Sequence, residues 1–143
     1  MKIGFTGTRN GMTDAQKTAL RGLLREQQYD SFIFEVHHGD CVGADDEFVN
    51  IACEVYRCLV RVVCHPPVDE SLRAFNQKAN LTMGAKTHFA RNRDIVDETS
   101  LLIACPSYEP LPTSGGTAYT VGYAARKGKR VKVIWPDGRI EDR

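Results

Sequence analysis

Apolar positions along this chain alternate between short unbroken runs and helical spacings. Lys2 to Thr6 is a short apolar run closed by Gly7, which predicts a strand. Thr13-Asp14-Ala15-Gln16 is a capping box, and it opens a helix carrying Leu20, Leu23 and Leu24. Phe32 to His37 predicts a second strand. After Gly39 to Gly43, the spacings of 4, 3, 1 and 3 between Ala44, Phe48, Ile51, Ala52 and Val55 place them on one helix face. Leu59 to His65 is a valine-rich third strand stopped by Pro66-Pro67. Residues 68 to 88 include Asp69, Glu70, Arg73, Asn76, Lys78 and Lys86. With too few apolar positions for a core element, they read as a lid or binding loop. A helix over about Phe89 to Asp97 precedes a fully apolar fourth strand, Leu101 to Cys105. Pro106 to Ser114 reads as a loop, Thr117 to Lys127 as a helix with Gly128 beyond its end, Arg130 to Trp135 as a fifth strand, and the chain from Pro136 as a polar tail.

Strands alternating with helices predict an α/β fold, a Rossmann-like three-layer domain with a mainly parallel sheet of about five strands. No repeat or low-complexity tract interrupts residues 1 to 143, so one domain is expected throughout. Ligands of such sheets sit beyond the carboxyl ends of the strands, where the strand order reverses. Four segments follow strand ends and should converge there: Gly7-Thr8-Arg9, His38 to Asp45, His65-Pro66-Pro67 and Ser114-Gly115-Gly116-Thr117.

Composition narrows the choice of partner. The chain is 42% hydrophobic and 26% charged, ordinary values for a globular protein. Its 19 Lys and Arg against 18 Asp and Glu give a net charge of +1, which offers no global attraction to nucleic acid or an anionic membrane. No apolar run approaches the roughly 18 residues of a membrane span. The first residues lack the apolar core of a secretory signal, so a cytoplasmic location is expected. The five cysteines contain no CxxC pair and read as reduced, mostly buried thiols. A zinc site using Cys41 or Cys64 with His37, His38 or His65 is the sharper alternative, but its spacings match no standard site. No metal or cofactor is expected.

Ser114-Gly115-Gly116-Thr117 is the strongest local signal. Its glycines let backbone approach an anion at a helix N-terminus, where free N–H groups and the dipole favour negative charge. Simple helix capping by Ser114 or Thr117 would select similar residues. In Gly7-Thr8-Arg9, the glycine permits a tight turn, Thr8 can donate, and Arg9 can grip a phosphate. Gly39-Asp40-Cys41-Val42-Gly43-Ala44-Asp45 places two carboxylates around a turn. Asp40 could accept from a ribose or base, and Asp45 could do so or cap the helix. Arg91 and Arg93 could reach an anion or a partner subunit, or simply be solvated. The GxGxxG dinucleotide fingerprint is absent.

Phe5-Thr6-Gly7-Thr8-Arg9, His38-Gly39-Asp40 with Gly43-Ala44-Asp45, Arg91-Asn92-Arg93-Asp94 and Ser114-Gly115-Gly116-Thr117 together resemble the motifs of the SLOG superfamily, over nearly the whole chain. That superfamily includes DprA/Smf-like proteins, Lonely Guy phosphoribohydrolases and ligand-sensing domains, and the small YspA/YpsA-like branch is the nearest in pattern. The resemblance implies a Rossmann-like fold, a nucleotide-derived ligand and homo-oligomers. One departure bears on activity. Lonely Guy enzymes place a catalytic glutamate after their glycine motif, whereas Ala118, Tyr119, Thr120 and Val121 follow here. Hydrolysis of an N-glycosidic bond would then fall to Asp40, Asp45, Glu109 or a histidine. Three readings follow: a protein that senses or sequesters a nucleotide-derived ligand, a nucleotide hydrolase using Asp40 or Asp45, and a DprA-like binder of single-stranded DNA. The last would need a basic groove with stacking aromatics, for which Tyr108, Tyr119 and Tyr123 are candidates.

Overall fold

A computed structural model describes all residues 1–143. The elements are β1 (Lys2–Gly7), α1 (Asp14–Asp30), β2 (Glu35–His38), α2 (Ala44–Val55), β3 (Arg61–Cys64), a 3-10 turn at Glu70–Leu72, β4 (Leu81–Thr82), α3 (His88–Glu98), β5 (Leu101–Cys105), α4 (Gly116–Arg126), β6 (Arg130–Ile134) and β7 (Ile140–Asp142). They build one sheet in the order β4-β3-β2-β1-β5-β6-β7, parallel except for β7.

Side-chain alternation along the strands divides the core between two layers. Ile3, Phe5, Val36, Val62, Leu101 and Ile103 meet Leu20, Leu23 and Leu24 of α1 and Phe48, Val49 and Ala52 of α2. Leu102, Ala104, Val131 and Val133 meet Ile95 and Val96 of α3 and Val121 and Ala124 of α4. Phe5 and Phe48 stack at 4.4 Å between ring centroids, fixing the start of α2 against the end of β1. The capping box of α1 is present, with Thr13 accepting from Gln16 N at 3.0 Å. Gln16 Nε2 also donates to the carbonyls of Pro106 and Ile134, tying α1 to the ends of β5 and β6.

Three expectations need correction. The sheet has seven strands, not about five, because the two additional strands carry no hydrophobic pattern. Both residues of β4 are exposed and pair with Val63 and Cys64 through backbone alone, while β7 makes an antiparallel hairpin from the supposed polar tail. The second strand begins at Glu35 rather than Phe32, whose side chain is 81% exposed. Finally, the stretch over 68 to 88 that read as a lid or binding loop runs as a strap along the sheet edge, and none of residues 68–87 lines the cleft described below. Asn80 N and Met83 N bond to Val62 and Cys64 carbonyls of β3, and Asp40 anchors the preceding loop.

Candidate functional site

After β1 the chain builds the sheet outward through β2, β3 and β4, then returns to β5 on the other flank of β1. The crevice at this reversal is the place where an open α/β sheet offers a ligand site. A cleft of about 520 Å³ opens there, within the range of small-molecule sites. Its walls are the β1 turn from Thr6 to Asn10, the start of α3, the loop after β5, and the start of α4.

The two glycine turns face this cleft together. Gly7, Thr8 and Arg9 line one side, and Ser114, Gly115, Gly116 and Thr117 line the other. Gly115 has φ +108°, a conformation that excludes ordinary side chains, and a Cβ there would meet open space. The first N–H groups of α4 therefore begin at an uncovered turn. Gly7 serves packing as well, since a Cβ would lie 2.6 Å from the Ala44 side chain. Thr8 and Ser107 hydroxyls meet at 2.5 Å across the β1–β5 gap.

Asp45 and Arg91 also reach the cleft, but their surroundings give them duties to the protein itself. Arg91 is only 5% exposed. Its Nη1 donates to the Gly39 and His65 carbonyls, and its Nη2 contacts Cys41 Sγ at 3.3 Å and His88 Nδ1 at 3.0 Å. The guanidinium thus joins the ends of β2 and β3 to α3 instead of standing free for a ligand. Gly39 must lack a side chain because Arg91 occupies the space of its Cβ. Asp45 accepts from Cys41 N at 3.2 Å, and burial pushes its carboxyl up to about 6 despite the nearby Arg91 charge.

Other expected contacts lie outside the cleft. Asp40 is completely buried: its carboxylate accepts from Arg73 Nε at 2.9 Å and Asn76 N at 3.1 Å. It anchors the edge strap, so a ribose or base cannot reach it. His38 is equally buried, with Nδ1 accepting from Asp40 N at 3.0 Å. Gly39 and Gly43 shape the turn from behind. His65 is buried against His37, with 2.9 Å between ring nitrogens, and Pro66 follows it into the strap. Arg93 donates to Tyr119 Oη at 2.9 Å across α3 and α4. Glu109 is exposed and paired with Arg139.

His88, Phe89 and Ser107, which carry no binding motif in the sequence, also line the cleft wall, together with Asn92 of the Arg91–Asp94 motif and Tyr108, expected only as a stacking aromatic for DNA. His88 is the first residue of α3, one place before the expected helix start, and it lies between Arg91 and Arg9, whose Nη2 is 3.4 Å from His88 Nε2. Desolvation, followed by the Arg91 and Arg9 charges, holds its imidazole below the ordinary value and therefore neutral near pH 7.

The five cysteines are free thiols, four of them buried. Donor atoms of His38, Asp40 and Cys64 gather within 4.8 Å, but their chemistry does not suit a cation. Asp40 is engaged by Arg73. His38 uses its Nδ1 lone pair on a backbone N–H, leaving the proton on Nε2, and burial pushes the Cys64 thiol up to about 12.

No protein-family model matches this chain, and no curated protein is significantly similar in sequence. Solved structures are similar in fold. A molybdenum cofactor binding protein from the phototrophic bacterium Rippkaea orientalis superposes with TM-score 0.67 at 17% identity, over 92% of this chain and 74% of that one. The molybdenum cofactor carrier protein from Chlamydomonas reinhardtii gives 0.60 at 14% identity, over 92% and 75%. The protein TM1055 gives 0.61 at 16% identity, over 91% and 71%. These likenesses establish the Rossmann-like α/β fold that the alternation of strands and helices predicted.

Proposed function

We propose that the cleft holds a nucleotide or nucleotide-derived ligand by its phosphate, and that the protein acts as a sensor, carrier or sequestering protein. The observation that carries this reading is the pairing of two glycine turns across the β1–β5 crevice, with Arg9 on one wall and the N-terminus of α4 on the other. The description of two fold relatives as molybdenum cofactor proteins supports a ligand of this class, and that cofactor is one candidate. Self-association belongs to the same reading and is measured by light scattering.

Mass spectrometry of small molecules released from the native protein tests the proposal, followed by binding of candidate nucleotides to the emptied protein. An intact nucleotide derivative that rebinds is the expected result. Protein that co-purifies with nothing and binds no phosphate-bearing compound would overturn it.

One observation favours a second reading. Asp45 combines burial, a place on the cleft wall and a carboxyl poised near 6, the properties of a general acid. In a nucleotide hydrolase it would protonate the departing base while water supplies the hydroxyl to the anomeric carbon. Release of free base and ribose phosphate from the added nucleotide would select this reading.

A further inference from the structure

His88 occupies a position that hydrogen bonding within the protein cannot satisfy. Each ring nitrogen faces a guanidinium: Nδ1 lies 3.0 Å from Arg91 Nη2, and Nε2 lies 3.4 Å from Arg9 Nη2. A guanidinium only donates, and a neutral imidazole has one lone pair. One contact must therefore set two donors against each other, whichever tautomer is present. The shorter, more buried contact decides which. Arg91 is fixed by the Gly39 and His65 carbonyls and is 5% exposed, so it takes the Nδ1 lone pair. The proton then sits on Nε2, at the solvent edge, facing Arg9.

Two donors converging without an acceptor make a seat for one anionic oxygen. We propose that His88 Nε2–H and the Arg9 guanidinium together donate to a phosphate oxygen of the ligand, with Arg91 acting as the positioning residue that fixes the His88 tautomer. This deepens the phosphate-binding reading of the cleft and rests on it. A phosphate oxygen accepts from both donors at once and removes their mutual repulsion.

The charged groups around His88 come from several elements. Arg9 lies after β1, Arg91 on α3, and Asp69 on the edge strap. Asp45 and Cys41 share the cleft wall. With two cations closest to the ring, an entering dianion reverses the local field and raises the affinity of His88 for a proton. By reciprocity, protonated His88 binds that anion more tightly.

The test uses sulfate, which stays dianionic from pH 5 to 8 (roughly, given the low second pKa of the acid), so that titration belongs to the protein alone. Nitrogen-15 NMR of the full chain follows the histidine rings and the backbone amides of Gly115 to Thr117. The free protein is expected to show His88 neutral with its proton on Nε2. Sulfate should shift that nitrogen and raise the His88 pKa. His88→Phe should weaken sulfate binding about tenfold or more, the effect of losing a hydrogen bond to a charged group. His88→Gln keeps a donor near the Nε2 position and should recover much of the loss. Histidine-free shifts at Gly115 to Thr117, with His88 unmoved by sulfate, would overturn this inference and leave the phosphate cleft standing. No shift at either place would overturn both. A proton found on Nδ1 in the free protein would also overturn it.

Discussion

Asp40→Asn separates a role in binding from a role in architecture. Asp40 has φ +54°, a left-handed conformation that asparagine tolerates nearly as well as aspartate, so the exchange removes charge with little backbone strain. In the native protein the carboxylate is fully buried and accepts from both Arg73 Nε and Asn76 N. An amide supplies one carbonyl oxygen for these two donors and turns its own NH2 group toward the other. Arg73 cannot easily withdraw, because its guanidinium stacks 4.3 Å above the Phe75 ring and its side chain is only 20% exposed. Loss of one charge-assisted hydrogen bond should cost about 2–3 kcal/mol. For a chain of this size that lowers Tm by roughly 6–12 °C. Differential scanning calorimetry measures the shift, and titration with the ligand found in the native protein measures affinity. Lower Tm with affinity retained is expected, since Asp40 does not line the cleft. An unchanged Tm accompanied by a large loss of affinity would refute the argument and return Asp40 to the ligand.

Gly116→Asp should abolish phosphate binding without unfolding the protein: a Cβ there lies 3.8 Å from Asn92 Nδ2, and an acid in the first turn of α4 favours the helix while repelling an anion. Circular dichroism and ligand titration read the two effects, and a mutant that binds as tightly as the native chain would remove the α4 turn from the site. Gly43→Ala should destabilise the protein by about 1–3 kcal/mol in urea, because φ is +89° and the new methyl would overlap the Arg9 carbonyl; an unaltered urea midpoint would contradict this. Burial, the leading cause for each, depresses His38 and His65 to about 4 and also lowers His37. Their stabilisation is present above the unfolded value of about 6.5 and is lost as pH falls toward 4. Asp45 has the opposite sign: its folded value of about 6 exceeds the unfolded one, so its contribution is full below about 4 and fades as pH rises through 6. Thermal unfolding between pH 7 and 4 should therefore show falling stability, made steeper by Asp45→Asn, whereas a flat profile would show that the histidines are not held neutral by burial.

The periodicity of the apolar residues determined the alternation of strands and helices, the mainly parallel sheet and the sidedness of α1 and α2. Burial of apolar surface dominates folding, and its period differs between helix and strand, so these features are written locally in the chain. Strand order followed from the same logic only as far as the general place of a ligand, because the glycine turns after β1 and before α4 mark strand ends. Backbone pairing left no comparable trace. Leu81–Thr82 and Ile140–Asp142 became strands because neighbouring edges offered free N–H and C=O groups, without any requirement for apolar side chains.

The fate of individual polar groups was decided by tertiary structure. Asp40 and Asp45 stand five positions apart around one turn, yet Arg73, distant in sequence, engages the first inside the strap, while the second reaches the cleft beside Arg91. His88 carried no motif, and its position between two arginines exists only because α3 starts beside the β1 turn. Sequence supplied the residue types able to hold an anion. Only folding, by placing donors and acceptors from remote segments within hydrogen-bond reach, decided which were satisfied by the protein and which were left facing the cleft.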